Sequence, residues 1–144
     1  MDGEQMSTTS LEARPSVGGT EKITINLGVV DLGQIDLLVQ EGFYSNRTDL
    51  IRTAIRNQLS VHADAVKRTL TRRTLLLGLQ HLSRTDLERA LAAGQMLQIQ
   101  VVGLARIADD VSPELARATI QSIVVLGAFH ANAAVRSALA DRIL

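Results

Sequence analysis

Residues 22–27 alternate polar and apolar side chains with a period of two, which is the pattern of a single half-buried β-strand. Two amphipathic helical segments follow this strand along the chain. One strand and two helices are too little to close a hydrophobic core, and an isolated strand leaves N–H and C=O groups unpaired on both edges. A fold that contains this segment therefore needs a second strand, which a second copy of the chain supplies.

Two helices are predicted after the strand. The first begins at Asp31, as the N-cap of a capping box, and ends at Gly42, which suits the left-handed residue that closes a helix. The second begins at Ser45 or Asn46 and extends to about Arg68. Their apolar stripes are formed by Leu32, Ile35, Leu38 and Val39 in the first helix, and by Leu50, Ile51, Ala54, Ile55 and Leu59 in the second.

The second half of the chain contains an internal repeat of strand and helix. An apolar segment with a central glycine occurs three times, at Gly78, Gly103 and Gly127. A short helix follows each segment, and the predicted N-caps are Ser83, Ser112 and Asn132, with the last helix running through Ile143. The glycines match no phosphate-binding pattern and are explained more simply as positions of tight packing. Two interpretations stay open, a solenoid-like stack of about three strand-helix repeats or an ordinary small α/β unit whose strands look alike because all are buried.

The composition divides the chain into three parts. Residues 1–20 are rich in Ser, Thr and Gly without a sustained apolar period, so we expect a disordered tail. Residues 21–68 contain the strand and the two helices, and residues 69–144 contain the repeats. Because a stack of parallel strands ends in open edges, we assign the assembly of copies to residues 69–144.

Composition also narrows the classes of function. Fifteen Lys and Arg residues balance fifteen Asp and Glu residues, so the chain is not a strongly basic protein that coats nucleic acid through its overall charge. The absence of cysteine excludes disulfide frameworks, thiolate zinc sites and cysteine nucleophiles. Residues 119–131 are the longest uncharged apolar stretch and are too short for a membrane span of about 20 residues. We therefore expect a soluble cytoplasmic protein without a membrane partner.

No combination of side chains predicts catalysis. His62, His81 and His130 lie far apart in the sequence, and none has a second ligand at the spacing that a helical metal site requires. No paired carboxylates and no activated nucleophile converge with them. We expect no enzymatic activity, no catalytic residue, no metal and no cofactor.

Residues 21–65 resemble a ribbon-helix-helix DNA-binding domain of the Arc and CopG type. The resemblance is carried by the period-two strand, by the first helix ending in Gly42 and Phe43, and by the polar run 45–49 ahead of a helix that contains Ile51 and Arg52. Gly28 differs from many relatives, which have a proline after the strand. The resemblance implies an α+β fold in which two chains intertwine through their strands, and it does not extend to the C-terminal repeats.

The polar face of the strand is the candidate reading surface. Paired with its twin, the strand forms an antiparallel ribbon that fits the major groove of B-DNA, which is about 12 Å wide. Lys22, Thr24 and Asn26 then point outward and can contact base edges. The alternative is an edge strand whose polar face only meets water.

The start of the second helix is the candidate phosphate site. Ser45, Asn46, Arg47 and Thr48 cluster where free backbone N–H groups and the positive end of the helix dipole attract anions. A well-capped helix start would use the same residues, so the clamp role of Ser45 and Asn46 follows from the resemblance.

These features favour a sequence-specific transcriptional regulator, a repressor that acts as a dimer on double-stranded DNA in the nucleoid. Residues 69–144 would join dimers into a higher homo-oligomer or a filament. An alternative is an architectural or plasmid-partition protein that coats DNA by polymerising. An antitoxin is a third hypothesis, although toxin-binding tails usually fold on binding and residues 69–144 already have a patterned core.

Overall fold

The computed structural model describes residues 19–144, which separate into two compact units. The N-terminal unit contains residues 20–68, and the C-terminal unit contains residues 69–144 together with Gly19. The tail expected at residues 1–20 lies almost entirely outside the described residues.

The N-terminal unit is helical after residue 28. Helix α1 spans Val29–Gln40, α2 spans Arg47–Val61 and α3 spans Ala63–Arg72, which runs on into the C-terminal unit. Residues 19–28 are neither helix nor strand in the single chain. The strand expected at residues 22–27 is therefore not confirmed and stays a prediction, because its hydrogen-bond partner would belong to a second copy.

The end of α1 is as predicted, and its start is not. Gly42 has a φ of +85° and donates to the Val39 carbonyl at 3.1 Å, while Phe43 donates to the Leu38 carbonyl at 3.0 Å. These two bonds form the glycine-closed helix end known as a Schellman motif. The helix begins two residues before Asp31, with Gly28 as its N-cap.

The capping box expected at Asp31 is wrong. The Gln34 side chain does not reach back to the backbone N–H of Asp31, since its Nε2 donates to the Val30 carbonyl at 3.4 Å. The backbone N–H of Leu32 already donates to the Gly28 carbonyl at 3.0 Å. Asp31 instead lies inside the first turn, where its negative charge faces the positive end of the helix dipole. The extended backbone of Gly28, with φ −61° and ψ 143°, allows the helix to start there.

The second predicted helix is two helices. Asn46 is the N-cap of α2, as expected, but the helix ends at Val61 and a new one begins at Ala63. His62 donates its backbone N–H to the carbonyl of Leu59, three residues back, at 3.1 Å. This tighter turn interrupts the regular helical ladder.

The C-terminal unit is built on a parallel sheet whose strand order follows the chain order. The helices that follow the three strands have the N-caps that the sequence predicts, Ser83, Ser112 and Asn132. The last helix ends at Ala138 and is followed by a 3-10 turn, so the helix expected to continue through Ile143 is too long. The elements are β1 Leu76–Leu82, α4 Arg84–Ala92, β2 Leu97–Ile107, α5 Pro113–Thr119, β3 Ile120–His130, α6 Ala133–Ala138 and the turn Ala140–Arg142.

Three glycines lie side by side across this sheet. Gly78 pairs with Gly103, and Gly103 pairs with Gly127. Their φ angles are +138°, +140° and +121°, a region that side chains rarely adopt. A Cβ atom on Gly103 would overlap the carbonyl oxygen of Gly78, and one on Gly127 would overlap that of Gly103. The predicted tight packing is confirmed at Gly103 and Gly127, whereas a Cβ on Gly78 would meet no atom within 4 Å.

The core lies on one face of this sheet, against the helices. It is wholly aliphatic and is formed by Leu82, Leu87, Ile99, Val101, Ala105, Ile107, Val111, Ala116, Ile120, Ile123, Val135 and Leu139. None of the described residues of the N-terminal unit is buried. The described part of the chain therefore has one core, and residues 20–68 contribute no buried side chain to it.

The glycine ladder yields a prediction with an internal control. Gly103→Ala and Gly78→Ala impose the same backbone strain, of about 1–3 kcal/mol. Only Gly103→Ala also forces β1 and β2 apart, because a Cβ on Gly78 meets nothing within 4 Å. We expect Gly103→Ala to lower the free energy of unfolding by about 1–3 kcal/mol more than Gly78→Ala does. Urea unfolding followed by circular dichroism measures this difference, and equal losses would refute the steric explanation.

Candidate nucleic-acid interface

The candidate interface begins with an apolar surface that one chain leaves open. Ile23 is 75% exposed, Ile25 62% and Leu27 40%, and these are the apolar positions of the predicted strand. On α2, Ile55 is 48% exposed and Leu59 60%. The predicted α1 stripe is half-buried throughout, so α1 and α2 pack on each other but cover only part of their apolar surface. Closing this surface requires further apolar side chains.

The predicted base-contacting residues alternate with the apolar positions of the strand. Lys22, Thr24 and Asn26 are all exposed in the single chain. Their position leaves them available to a ligand once the neighbouring apolar side chains are covered. Their contact with DNA bases stays a prediction.

Two hydrogen bonds from backbone N–H groups to side-chain oxygens stabilise the start of α2. The Asn46 side-chain oxygen accepts the Asp49 backbone N–H at 2.8 Å. The Asp49 carboxylate in turn accepts the Ser45 backbone N–H at 3.0 Å. Asn46 and Ser45 therefore have a structural role at this helix start. Asp49 also places a negative charge in the first turn, where a bound phosphate would be repelled.

Two backbone donors are left at this helix start. The first intrahelical bond runs from Leu50 to the Asn46 carbonyl, at 3.3 Å, so the amides of Arg47 and Thr48 precede the helical ladder. Such amides, together with the helix dipole, are the groups that bind anions. The structure thus gathers residues 45–48 at one position, with the backbone of Arg47 and Thr48 as the groups suited to a phosphate.

Arg47 is held by an ion pair that the sequence does not reveal. Its Nε donates to Asp36 Oδ1 at 2.7 Å, and its Nη2 donates to Asp36 Oδ2 at 2.8 Å. These hydrogen bonds lower the pKa of Asp36 below its usual value and raise the pKa of Arg47. Two of the five guanidinium N–H groups face Asp36, and the other three can still donate to a phosphate.

Asp36 is thus a residue of the candidate site that sequence reasoning missed. It lies eleven positions before Arg47 and on another helix. Only the packing of α1 on α2 brings the two side chains together. Its effect is to fix the orientation of Arg47 at the start of α2.

The described residues contain neither a metal cluster nor a membrane helix. Among residues 19–144, no group of three or more His, Asp or Glu side chains could hold a metal ion. No helix in the same range is long and apolar enough to cross a membrane.

Comparison with known proteins gives one match. Residues 18–136 match the model of a family described as the Ribbon-Helix-Helix transcriptional regulator family. The match covers most of the chain and includes the C-terminal repeats, which the sequence resemblance did not reach. No curated protein and no solved structure matches the chain.

The Asp36–Arg47 pair predicts a pH dependence of stability. The pKa of Asp36 is lower in the folded chain than in the unfolded chain. The ion pair therefore contributes fully to the free energy of unfolding above the unfolded-state pKa of about 3.9. It is lost as the pH falls through the folded pKa. The melting temperature of Asp36→Asn should therefore fall less than that of the wild type between neutral pH and pH 3.

The matched control is Glu41→Gln, which removes the same charge at the C-cap of α1, five residues after Asp36. We expect the control to keep the wild-type pH dependence more closely than Asp36→Asn does. Identical melting-temperature profiles for the two variants would show that the ion pair does not stabilise the folded state in solution. Both side chains of the pair are about half exposed, so the effect will be small.

Proposed function

Because the chain belongs to the ribbon-helix-helix transcriptional regulator family, we propose that it is a sequence-specific DNA-binding repressor that acts as a dimer. The observation that carries this proposal is the open apolar surface of the N-terminal unit. Ile23, Ile25 and Leu27 are exposed in one chain, and a second copy of the chain would bury them. Pairing two segments 22–27 as an antiparallel ribbon would bury them against the helices of both chains.

The ribbon would read DNA through its polar face. With the apolar side chains turned inward, Lys22, Thr24 and Asn26 face outward from both strands. A lysine donates to guanine O6 and N7, and an asparagine pairs with adenine N6 and N7. A threonine contacts a polar base edge or a thymine methyl group. This set of side chains suits selective contacts in the major groove.

Phosphate contacts would fix the position of the ribbon. The amides of Arg47 and Thr48, with the hydroxyl of Ser45 and the guanidinium of Arg47, provide donors at the start of α2. Asn46 supports this turn through its cap. Asp36 would hold Arg47 in place while its remaining N–H groups bind the phosphate.

The charge of the N-terminal unit favours selective binding over coating. Residues 21–68 contain six Lys and Arg residues and six Asp and Glu residues, so this segment is formally neutral. Affinity that comes from neutralising phosphates is then modest for one dimer. Base contacts would have to supply most of the preference for a site.

Assembly beyond the dimer is proposed for residues 69–144. Among the described residues, β1 pairs only with β2, so its other edge is open. The outer edge of β3 is partly covered, because Leu144 donates to the Ile123 carbonyl at 2.8 Å and Arg136 to the Phe129 carbonyl at 2.7 Å. A head-to-tail filament needs both edges, whereas pairing of two β1 edges needs only the open edge and would join one dimer to another.

An architectural or plasmid-partition protein that coats DNA is the second candidate. It is favoured by the open β1 edge and opposed by the covered β3 edge. The antitoxin hypothesis is opposed by the folded core of residues 69–144, because a toxin-binding tail gains its structure on the toxin.

A selection from random DNA separates reading residues from clamping residues. Lys22→Ala/Asn26→Ala should reduce discrimination between bases by about 1–3 kcal/mol per lost contact. Arg47→Ala should weaken all sites alike and reduce the salt dependence of binding by about one charge per contact. Arg56→Ala, an exposed position of α2, is the control that removes a charge elsewhere.

Two outcomes decide this experiment. Unchanged selectivity in the double variant would place base reading elsewhere and refute the ribbon as the reading surface. Footprinting of the selected sites then distinguishes the candidates, because a repressor protects a short operator and a coating protein protects DNA continuously.

Sedimentation equilibrium tests the proposed assembly. We expect a mass above that of the dimer at micromolar concentration. A dimer at every concentration would refute the higher assembly and leave the proposed DNA binding intact.

A further inference from the structure

The parallel sheet has a second face, opposite the core, that we call the outer face. It is apolar at its centre, where Leu77 is 63% exposed, Leu79 61% and Leu126 49%. Exposed apolar patches that extend over several neighbouring strands mark interaction surfaces. The outer face is formed by Leu77, Leu79 and His81 of β1, by Gln98, Gln100, Val102, Leu104 and Arg106 of β2, and by Ser122, Val124, Leu126, Ala128 and His130 of β3.

The two ends of the outer face differ in hydrogen-bonding character. At the carboxyl ends of the strands, His81, Arg106 and His130 are direct neighbours across the sheet. At the amino ends, Gln98 is paired with Ser122, and Gln100 lies two residues further along β2. One end thus carries a guanidinium and two imidazoles, and the other carries amide and hydroxyl groups that can accept from them.

We propose that the outer faces of the two chains of a dimer pack against each other with their strands antiparallel. A two-fold axis near Val102 then places Arg106 of each chain over Gln98 of the other, because both lie four residues from Val102. The opposite orientation would place Arg106 against Arg106, which is unfavourable. The antiparallel orientation is self-complementary, as a two-fold interface requires.

The size of the outer face favours a second copy over an independent partner. Three strands about 4.8 Å apart, of seven, eleven and eleven residues at about 3.3 Å per residue, cover roughly 460 Å². Stable complexes usually bury about 800 Å² on each partner. A smaller face is sufficient when the two chains are already joined, because the tether raises their effective concentration. This inference therefore rests on the proposed dimer of the N-terminal units.

Within residues 19–144, Gly19 lies against this face but leaves its central leucines exposed. Gly19 is placed so that a Cβ on it would be 3.4 Å from Leu79 Cδ2 and 3.6 Å from Leu104 Cδ2. Leu77, Leu79 and Leu126 stay about half exposed or more with Gly19 in this position. A larger apolar surface is needed to remove them from water.

Crosslinking through introduced cysteines tests this inference, because the chain has no natural cysteine. Packed sheets lie about 10 Å apart, which separates facing Cβ atoms too widely for a disulfide of about 3.5–4.5 Å. A short bis-maleimide spans the gap. Val102→Cys in the full-length protein should give covalent dimers, because residue 102 of one chain faces residue 102 of the other. Glu88→Cys, exposed on α4, is the control and should give only background crosslinking.

The orientation and the apolar contact have their own readouts. Dimers refolded from mixed Gln98→Cys and Arg106→Cys chains should crosslink more than dimers of either variant alone. Leu126→Glu added to Val102→Cys should reduce crosslinking at least several-fold. Sedimentation should still find a mass of at least a dimer, because the N-terminal units hold the two chains together.

Three results would overturn the inference. The first is crosslinking at position 102 no higher than at position 88. The second is a Val102→Cys that neither crosslinks nor reacts with a single maleimide, which would mean that residues 1–18 or another segment cover the face. The third is more crosslinking in dimers of Arg106→Cys alone than in the mixed dimers of Gln98→Cys and Arg106→Cys. A monomer in sedimentation would instead refute the proposed dimer itself, so the two failures are distinguishable.

Discussion

The N-terminal unit depends on the burial of apolar side chains that a single chain leaves in contact with water. Ile23, Ile25 and Leu27 alternate with the polar residues that are proposed to read DNA, so burying one set orients the other. The hydrophobic effect contributes about 25 cal/mol for each Å² of apolar surface removed from water. Dimerisation and the assembly of the reading surface are therefore one event in this account.

The C-terminal unit follows different physics. Its core closes within one chain, and its sheet is held in register by glycines that no larger residue can replace at Gly103 and Gly127. Among the described residues, the outer face of the sheet is largely uncovered and the outer edge of β1 has no partner strand. In the proposed assembly, the N-terminal unit completes its core with a second chain, whereas the C-terminal unit offers surfaces that would extend the dimer.

The sequence predicts local features well where one residue decides the geometry. Gly42 ends α1 as expected, because a left-handed backbone there favours glycine, and Ser83, Ser112 and Asn132 cap their helices. It predicts less well where alternatives differ little in energy, as at the start of α1 and the break at His62. The Asp36–Arg47 pair joins two helices, and no sequence period indicates it. The ribbon strand depends on a second chain and stays a prediction.

Tyr44 gives a direct measurement of the central claim. It is the one tyrosine of a chain without tryptophan and lies between α1 and α2, so its fluorescence reports on the N-terminal unit alone. If two chains complete this core, the urea midpoint of the Tyr44 signal will rise as the protein concentration increases. A midpoint that is independent of concentration would show that one chain folds this unit by itself and would contradict the account.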